Sequence, residues 1–457
     1  MNNADRVEGP RPTGDAHVPL VEPRKVQISE CSMEDVAAST RAYQLSTVLC
    51  AHSDDVKCVY PIDSDCILSA SRDRTVGVWK RKQESKDFEL TRLLAGHDGY
   101  VNSLEFIPAD EDCESDLIAS SGNSTIILFH LYGDDLGPDP SPEPVDGLIG
   151  HHANVCALQY SRKHKKMISA SWDCAGRLWS RSKSSSNNVA AGKAKSKAGD
   201  WACELVLSGH EAAVWGVAIL DEGLYDGNYL TGSADRTLRM YDPAGTAIRT
   251  FDIFPDAIRS LATFPNFQSI ALALNDGTVR LVQLEDGATE TLKSHTDYVY
   301  HISVRSENEI ISCGEDHTAA YWNGESTKEK YLQRLIHPCQ SVWCCSFLPN
   351  GDIVSAGSDN AIRVWTASSD RVADRETLQV YEKETANIDS KGQGSLAEGN
   401  EETVLDIVLN DEKAPLQLRF SQNTDPEELV TTFAVEHQLT AEEKEQIESF
   451  IRRAQGY

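Results

Sequence analysis

Residues 150–179 read GHHANVCALQYSRKHKKMISASWDCAGRLW. A Gly-His pair is followed, after three residues, by Val155 and an apolar run, then a Ser-rich run, Asp173 and, six residues further on, Trp179. The template returns along the chain. AHSDDV…SASRDRTVGVW from Ala51 and SHTDYV…SCGEDHTAAYW from Ser294 are its clearest other copies. The histidine or its counterpart falls at His52, His97, His151, His210, Phe254, His295 and Pro338. The acidic position falls at Asp73, Asn123, Asp173, Asp235, Asp276, Asp316 and Asp359. Six residues beyond each stand Trp79, Phe129, Trp179, Tyr241, Val282, Trp322 and Trp365. A unit repeated at this size marks an array of supersecondary modules, none of which can bury its apolar face alone.

Runs such as TVGVW, TLRMY and AIRVW alternate and are rich in β-branched and aromatic residues, the pattern of half-buried strands. Ser-Arg-Asp-Arg-Thr between two such runs is a tight polar turn. The repeat resembles the WD40 repeat, which implies an all-β, seven-bladed WD40 β-propeller. In that family a buried His bonds to the turn Asp. By this resemblance His52/Asp73, His151/Asp173, His210/Asp235 and His295/Asp316 are structural pairs and not catalytic dyads, since a buried His and Asp each need a partner. Blades 5 and 7, with Phe254 and Pro338, are expected to lack the His and to be softer. The strand-like RAYQLSTVLC precedes the first copy, whereas SSDRVADRETLQVYEKE after the last is no strand. Residues 43–50 are therefore expected to supply the outer strand of blade 7 and seal the ring.

The Gly-His turns and the Asp turns keep their lengths from blade to blade. Insertions, at 110–116, 132–147 and 181–199, fall in the other loops, and those at 132–147 and 181–199 are Pro/Asp or Ser/Lys stretches of low complexity. The constant rim is thus the expected binding face. If the Val of each H-x-x-x-V packs inward, its neighbours face that opening: Asp55 and Lys57, Tyr100 and Asn102, Asn154 and Cys156, Ala213 and Trp215, Ala257 and Arg259, Tyr298 and Tyr300, Ser341 and Trp343. The residue before each turn Asp joins them, including Arg72, Trp172, Asn275 and Glu315. Trp172, Trp215, Tyr298, Tyr300, Trp343 and Tyr100, with the carboxylates Glu315 and Asp55, form the candidate protein-binding site, because aromatic anchors with a polar surround make interface hot spots.

The formal net charge of the 457 residues is −28, and residues 367–457 carry 20 acidic side chains against 9 basic ones. Such a surface repels phosphate backbones, which disfavours nucleic acid and anionic membranes as primary ligands and suits partners with basic faces. The first residues show no basic-then-apolar leader pattern and no run approaches a membrane span, so cytosol and nucleus are the expected compartments. No C-x-x-C pair occurs among the twelve cysteines. Cys58, Cys344 and Cys345 lie within strand-like runs, where a reduced Cys acts as a small hydrophobe. No metal or cofactor is expected, and no phosphate-cradling Gly loop or G-x-S-x-G elbow points to an enzyme.

The segments SWDCAGRLW, AAVWGVAIL, TGSADRTLRMY, DYVYHISV, QSVWCCSFLPNGDIVSAGSDNAIRVW and SSDRVADRETLQVYEKE together resemble the phospholipase-A2-activating-protein (Ufd3/Doa1) family over residues 43–385. The resemblance implies a ubiquitin-binding propeller acting in ubiquitin homeostasis and ubiquitin-dependent degradation. It also implies a second ubiquitin-binding domain (PFU) and a C-terminal helical-repeat domain (PUL) that binds a valosin-type AAA+ ATPase. The domain reading is a tail at 1–40, the propeller at 41–385, a Gly/Ser/Glu-rich linker at 386–402 and a partial PFU-like α+β segment at 403–457. In that segment VLDIVLND and KAPLQLRF read as strands. Asp425-Pro426 opens a first helix and Thr440 with Glu443 caps a second. No PUL domain follows within the sequence, so engagement of the ATPase in the family's way is not expected. The rival reading is a WD40 scaffold or substrate receptor for another protein partner, such as a ubiquitin-ligase complex.

Overall fold

The computed structural model describes residues 42–396, apart from 84, 112, 114, 132–143, 182–199, 252–253, 294 and 325–330, together with 403–407 and 416–420. Seven four-stranded antiparallel sheets follow one another along the chain. Their innermost strands are Val56–Pro61, Val101–Ile107, Val155–Ser161, Val214–Ile219, Ile258–Thr263, Val299–Ser306 and Val342–Phe347, one for each of blades 1 to 7. Neighbouring blades are held by shared clusters of buried apolar side chains. Leu68 and Val78 of blade 1, for example, pack with Leu104 and Phe129 of blade 2. The first and last blades meet through Val59 and Trp79 against Val354 and Val364.

Ring closure follows the expected route. Gln44–Cys50 lies antiparallel to Ala361–Thr366 as the outer strand of blade 7, with Leu49 opposite Ile362 and Cys50 opposite Ala361. Leu45 is 1% exposed within the cluster that also holds Tyr321 and Trp365. The closing strand thus joins the segment before blade 1 to blade 7 and removes two sheet edges.

The His/Asp pairs are part of longer chains of polar groups. In blade 1, His52 Nδ1 donates to Asp73 at 2.8 Å while Ser69 Oγ donates to His52 Nε2 at 2.7 Å and accepts from Trp79 Nε1 at 2.8 Å. Blade 3 repeats this with Asp173, His151, Ser169 and Trp179. In blades 4 and 6 His210 bridges Asp235 and Thr231, and His295 bridges Asp316 and Ser312. A carboxylate only accepts, so Nδ1 carries the proton and Nε2 receives the hydroxyl. Burial would raise the Asp235 carboxyl, but bonds from Thr237, His210 and the Glu211 N–H outweigh it and hold it down at about 2. In blades 1, 3, 4, 5 and 6 the turn Asp also accepts the N–H two residues on, from Thr75, Ala175, Thr237, Thr278 and Thr318. That second task explains why Asp276 persists in blade 5 although Phe254 stands in the histidine's place.

Blade 7 corrects the expectation that it lacks its histidine. His337, not Pro338, fills the position. It is fully buried, bonds Ser355 Oγ at 2.7 Å and packs its ring 5.3 Å from Trp365. One extra residue separates it from Val342, so its Nδ1 turns to the Leu335 carbonyl while Asp359 is taken by Arg363. Blade 2 keeps His97 on Ser120, but Asn123 bonds Asp98 in place of the imidazole.

After blade 7, helix α1 (Arg375–Leu396) begins at Asp374, whose carboxylate caps the Thr377 N–H. Tyr381 packs on Trp365 and bonds the Ile336 carbonyl, which docks the helix against blades 6 and 7. The stretch 386–402, expected as linker, therefore begins inside a helix. Thr403–Ile407 and Leu416–Phe420 pair antiparallel, matching the two strands read there. The two C-terminal helices read from Asp425-Pro426 and Thr440/Glu443 lie outside the described residues, as does the tail at 1–40.

Candidate functional site

At the end of the ring that carries the Asp turns, one backbone hydrogen bond recurs in six blades. The N–H of the residue before the Asp, or its neighbour, meets the carbonyl of the residue before the inner-strand Val or Ile. Arg72 bonds Asp55, Trp172 bonds Asn154, Ala234 bonds Ala213, Asn275 bonds Ala257, Glu315 bonds Tyr298 and Ser358 bonds Ser341. This bond locks the two turns together in those six blades and fixes the rim.

All seven inner strands then share an irregularity immediately after that Val or Ile, where the register slips by one residue. The bulged residues are Lys57, Asn102, Cys156, Trp215, Arg259, Tyr300 and Trp343. A β-bulge re-aims a side chain that alternation would leave in the sheet. All seven line one central cavity of about 620 Å³. The mouth of the channel is thus written at one position per repeat.

Its contacts form a nearly continuous series. Arg259 lies with its guanidinium carbon 4.1 Å from the centre of the Trp215 ring, 5.7 Å from Tyr298 and 5.6 Å from Tyr300. Tyr300 and Trp343 stack with centroids 4.4 Å apart. Lys57 Nζ sits 2.8 Å from the centre of the Trp343 ring, and Arg72 bridges Trp343 and Tyr100 at 5.2 and 5.6 Å. Cations over aromatic faces gain from the ring quadrupole, more so away from water. Tyr100, Trp172 and Tyr298 remain 56%, 55% and 43% exposed, whereas Trp215, Tyr300 and Trp343 are half-buried.

The candidate site residues therefore divide. Five of the six rings join one network, and Trp172 lines the same channel. The two carboxylates are spent within the rim. Asp55 accepts from Arg72 at 2.8 Å and from Trp343 Nε1 at 3.1 Å. Glu315 accepts from Tyr300 at 2.8 Å, from Gln340 and from Ser341. Burial and the Glu315 carboxylate push the Tyr300 hydroxyl upward, so it stays protonated and donates. Exposed acidic residues stand elsewhere on the rim, at Asp98, Glu211 and Asp297. Asp98, with Asp54, Arg72 and Tyr100, lines a shallow depression where the turns of blades 1 and 2 meet.

Sequence reasoning placed Lys57 and Arg259 on the rim but chose the rings and the acids over them. The signal was present, since both occupy the position that yields Trp215, Tyr300 and Trp343. The Ser or Thr of the polar chains was also missed, although Ser69, Ser169, Thr231, Ser312 and Ser355 all stand four residues before the turn Asp. Deeper in the channel, Cys58, His301 and Cys344 line the wall, and Cys344 Sγ donates to the Val59 carbonyl. Among the described residues no group of His, Cys, Asp and Glu is placed to hold a metal ion.

Residues 43–80, 142–180, 201–242, 288–323 and 329–366 match the WD domain, G-beta repeat family. The chain is 30% identical over 363 residues to the ubiquitin homeostasis protein lub1 of Schizosaccharomyces pombe, covering 79% of this chain and 45% of that one. It is 26% identical over 446 residues to the ubiquitin fusion degradation protein 3 homolog of Caenorhabditis elegans, covering 93% and 48%. The crystal structure of the WD40 beta propeller domain of Doa1 superposes with a TM-score of 0.61 at 28% identity, covering 73% of this chain and 100% of that one. The chain spans about half the length of the curated relatives it matches. With seven WD40-type blades closed by the strand at Gln44–Cys50, the chain is similar over its propeller to these curated proteins, all of the phospholipase-A2-activating-protein (Ufd3/Doa1) family.

Proposed function

We propose that the chain is a non-catalytic ubiquitin-binding adaptor of the cytoplasm and nucleus, acting in ubiquitin homeostasis and ubiquitin-dependent degradation and holding ubiquitin on the channel-mouth rim. The observation that carries this reading is the aromatic network at the mouth with exposed carboxylates around it. Ubiquitin's recognition surface is a small aliphatic patch ringed by Arg and Lys. Exposed rings are the matching anchors, and exposed acids the matching edge. The anchors on this reading are Tyr100, Trp172 and Tyr298, which are open to a partner; Arg72 links Tyr100 to Trp343, and Arg259 links Tyr298 to Trp215 and Tyr300. The exposed Asp98, Glu211 and Asp297 take the role first given to Asp55 and Glu315, whose half-buried carboxylates bond rim side chains. The names of the relatives, in ubiquitin homeostasis and ubiquitin fusion degradation, support the same pathway.

The test is an NMR titration of labelled ubiquitin with the full chain. Tyr298→Ala and Tyr100→Ala each remove an exposed ring and leave the core untouched. Truncating an interface aromatic costs about 2 kcal/mol, roughly thirtyfold in affinity. Glu211→Gln should weaken binding less and reduce its dependence on salt, as a rim charge does. Unchanged ubiquitin spectra with the wild type would refute the function. Wild-type affinity in both ring variants would refute the face.

A further inference from the structure

One position beyond each bulge, the inner strands build a second ring of residues, deeper in the channel. In blades 2 to 5 it holds Ser103, Ala157, Gly216 and Ser260, whose small side chains leave the channel open. In the three consecutive blades 6, 7 and 1 it holds His301, Cys344 and Cys58. All three line the cavity of about 620 Å³. Ring closure is what brings Cys58 to Cys344. Cys58 packs on the apolar cluster that contains Cys344, its thiol donates to the Cys344 sulfur, and Cys344 Sγ meets the Val59 carbonyl at 3.6 Å. The bond to Cys344 and then burial push the Cys58 thiol well up. Cys344 is pulled well below the ordinary thiol range, first by the bond from Cys58 and then, against burial, by the His301 imidazole. Burial alone would lower His301, but the sulfurs of Cys344 and Cys345 outweigh it and hold the imidazole up. The thiolate is the nucleophile in sulfur chemistry, and a lowered thiol next to a second one on a solvent channel is the arrangement of a redox-sensitive pair.

We propose that Cys58 and Cys344 are a peroxide-sensitive dithiol in the channel wall, which oxidises to a disulfide fastening blade 1 to blade 7, with His301 as the acid–base group. Cys344 gives its proton to His301. Its sulfur attacks one oxygen of hydrogen peroxide, the O–O bond breaks, and the departing hydroxide takes the proton back from His301 and leaves as water. Cys344 is then a sulfenic acid. The Cys58 sulfur attacks it, the S–O bond breaks, and the Cys58 proton leaves with that hydroxyl as a second water. Two thiols have lost two hydrogens to one peroxide, and a thiol reductant reverses the step. Cys344 is only 2% exposed, so the oxidant that reaches it through the channel is one scarcely larger than water. Cys313 and Cys345 also adjoin, yet both are fully buried and neither lines the channel, so they stay reduced. The bond between Cys58 and Cys344 encloses nearly the whole ring in one covalent loop, the kind of link that most constrains an unfolded chain. This proposal does not rest on the ubiquitin reading.

The experiment treats the folded full chain with hydrogen peroxide, removes the peroxide, unfolds the chain in urea with N-ethylmaleimide to block remaining thiols, and maps the non-reduced digest by mass spectrometry. The expected product is a peptide pair joined through Cys58 and Cys344, lighter than its two parts by two hydrogens and separated again by dithiothreitol. The oxidised chain should also unfold at a higher urea concentration than the reduced one. Cys58→Ser should stop the link and leave Cys344 as a sulfenic acid that dimedone traps. His301→Gln should slow the link at least about tenfold, whereas a merely structural histidine would shift the urea midpoint of the reduced chain and leave the rate alone. Oxidation of the exposed Cys50 and Cys203 with Cys58 and Cys344 both recovered as maleimide adducts would overturn the proposal. So would a link between Cys313 and Cys345 in its place, or a link that forms only when peroxide is added in urea. These outcomes are read on the wild-type chain, so a variant that fails to fold does not leave the question open.

Discussion

The blade-4 polar chain gives a quantitative test of why the repeat keeps His and Asp together. His210→Ala removes two bonds, to Asp235 and Thr231, both 2.7 Å long, and leaves a hydroxyl and a carboxylate facing a small cavity. Asp235→Ala strands His210 Nδ1, the Glu211 N–H and the Thr237 N–H and hydroxyl. A buried hydrogen-bonding group left without its partner costs about 1–3 kcal/mol, so each single variant should lose about that much. The single losses overlap, because whichever partner is removed, the same bond is lost. The double variant should therefore lose less than the sum, with a coupling of about 1–2 kcal/mol for a short charge-assisted bond. Urea unfolding of the full chain and its three variants, followed by tryptophan fluorescence, measures the cycle. Additivity within about 0.5 kcal/mol would show that the imidazole and the carboxylate stabilise the blade separately. The recurrence of the pair would then need another cause.

Asp316 predicts an acid-side loss of stability with a defined window. Bonds from His295, Thr318 and the Thr296 N–H overcome burial and hold its carboxyl at about 2, against an ordinary 3.8. The unfolded chain thus binds this proton more readily, so the contribution is complete above pH 3.8 and lost as pH falls toward 2. It amounts to about 2 kcal/mol. An Asp316→Asn variant should lose less stability than the wild type between pH 4 and pH 2, and parallel losses would refute the assignment. Ring closure predicts that Leu45→Ala, at a site 1% exposed, costs about 2–4 kcal/mol by urea unfolding. Gln44→Ala on the same strand should cost under about 0.5 kcal/mol, and equal effects would show that the closing strand is not a core element.

What could be read from the sequence is what one repeat determines by itself. The Asp turn is local, since Asp235 accepts the Thr237 N–H two residues on, and its spacing to the next aromatic is a strand length. Closure by residues 43–50 was legible because strand-like sequence before the first repeat matched a missing strand after the last. Where one residue changes the geometry, the reading slipped. His337 precedes Val342 by five positions where His295 precedes Val299 by four, and a search at fixed spacing stops on Pro338. The first turn of α1 carries an Asp cap and helix formers, yet the stretch was tested only as a strand. The mouth is the most instructive case. Strand alternation placed the seven channel positions among fourteen neighbours of the inner-strand Val or Ile, but it could not tell which side chains would neutralise each other across blades. Asp55 and Trp343 are joined only when blade 1 closes on blade 7. Sequence order therefore offered Asp55 as an acid free for a ligand, and three-dimensional closure spends it on Arg72 and Trp343.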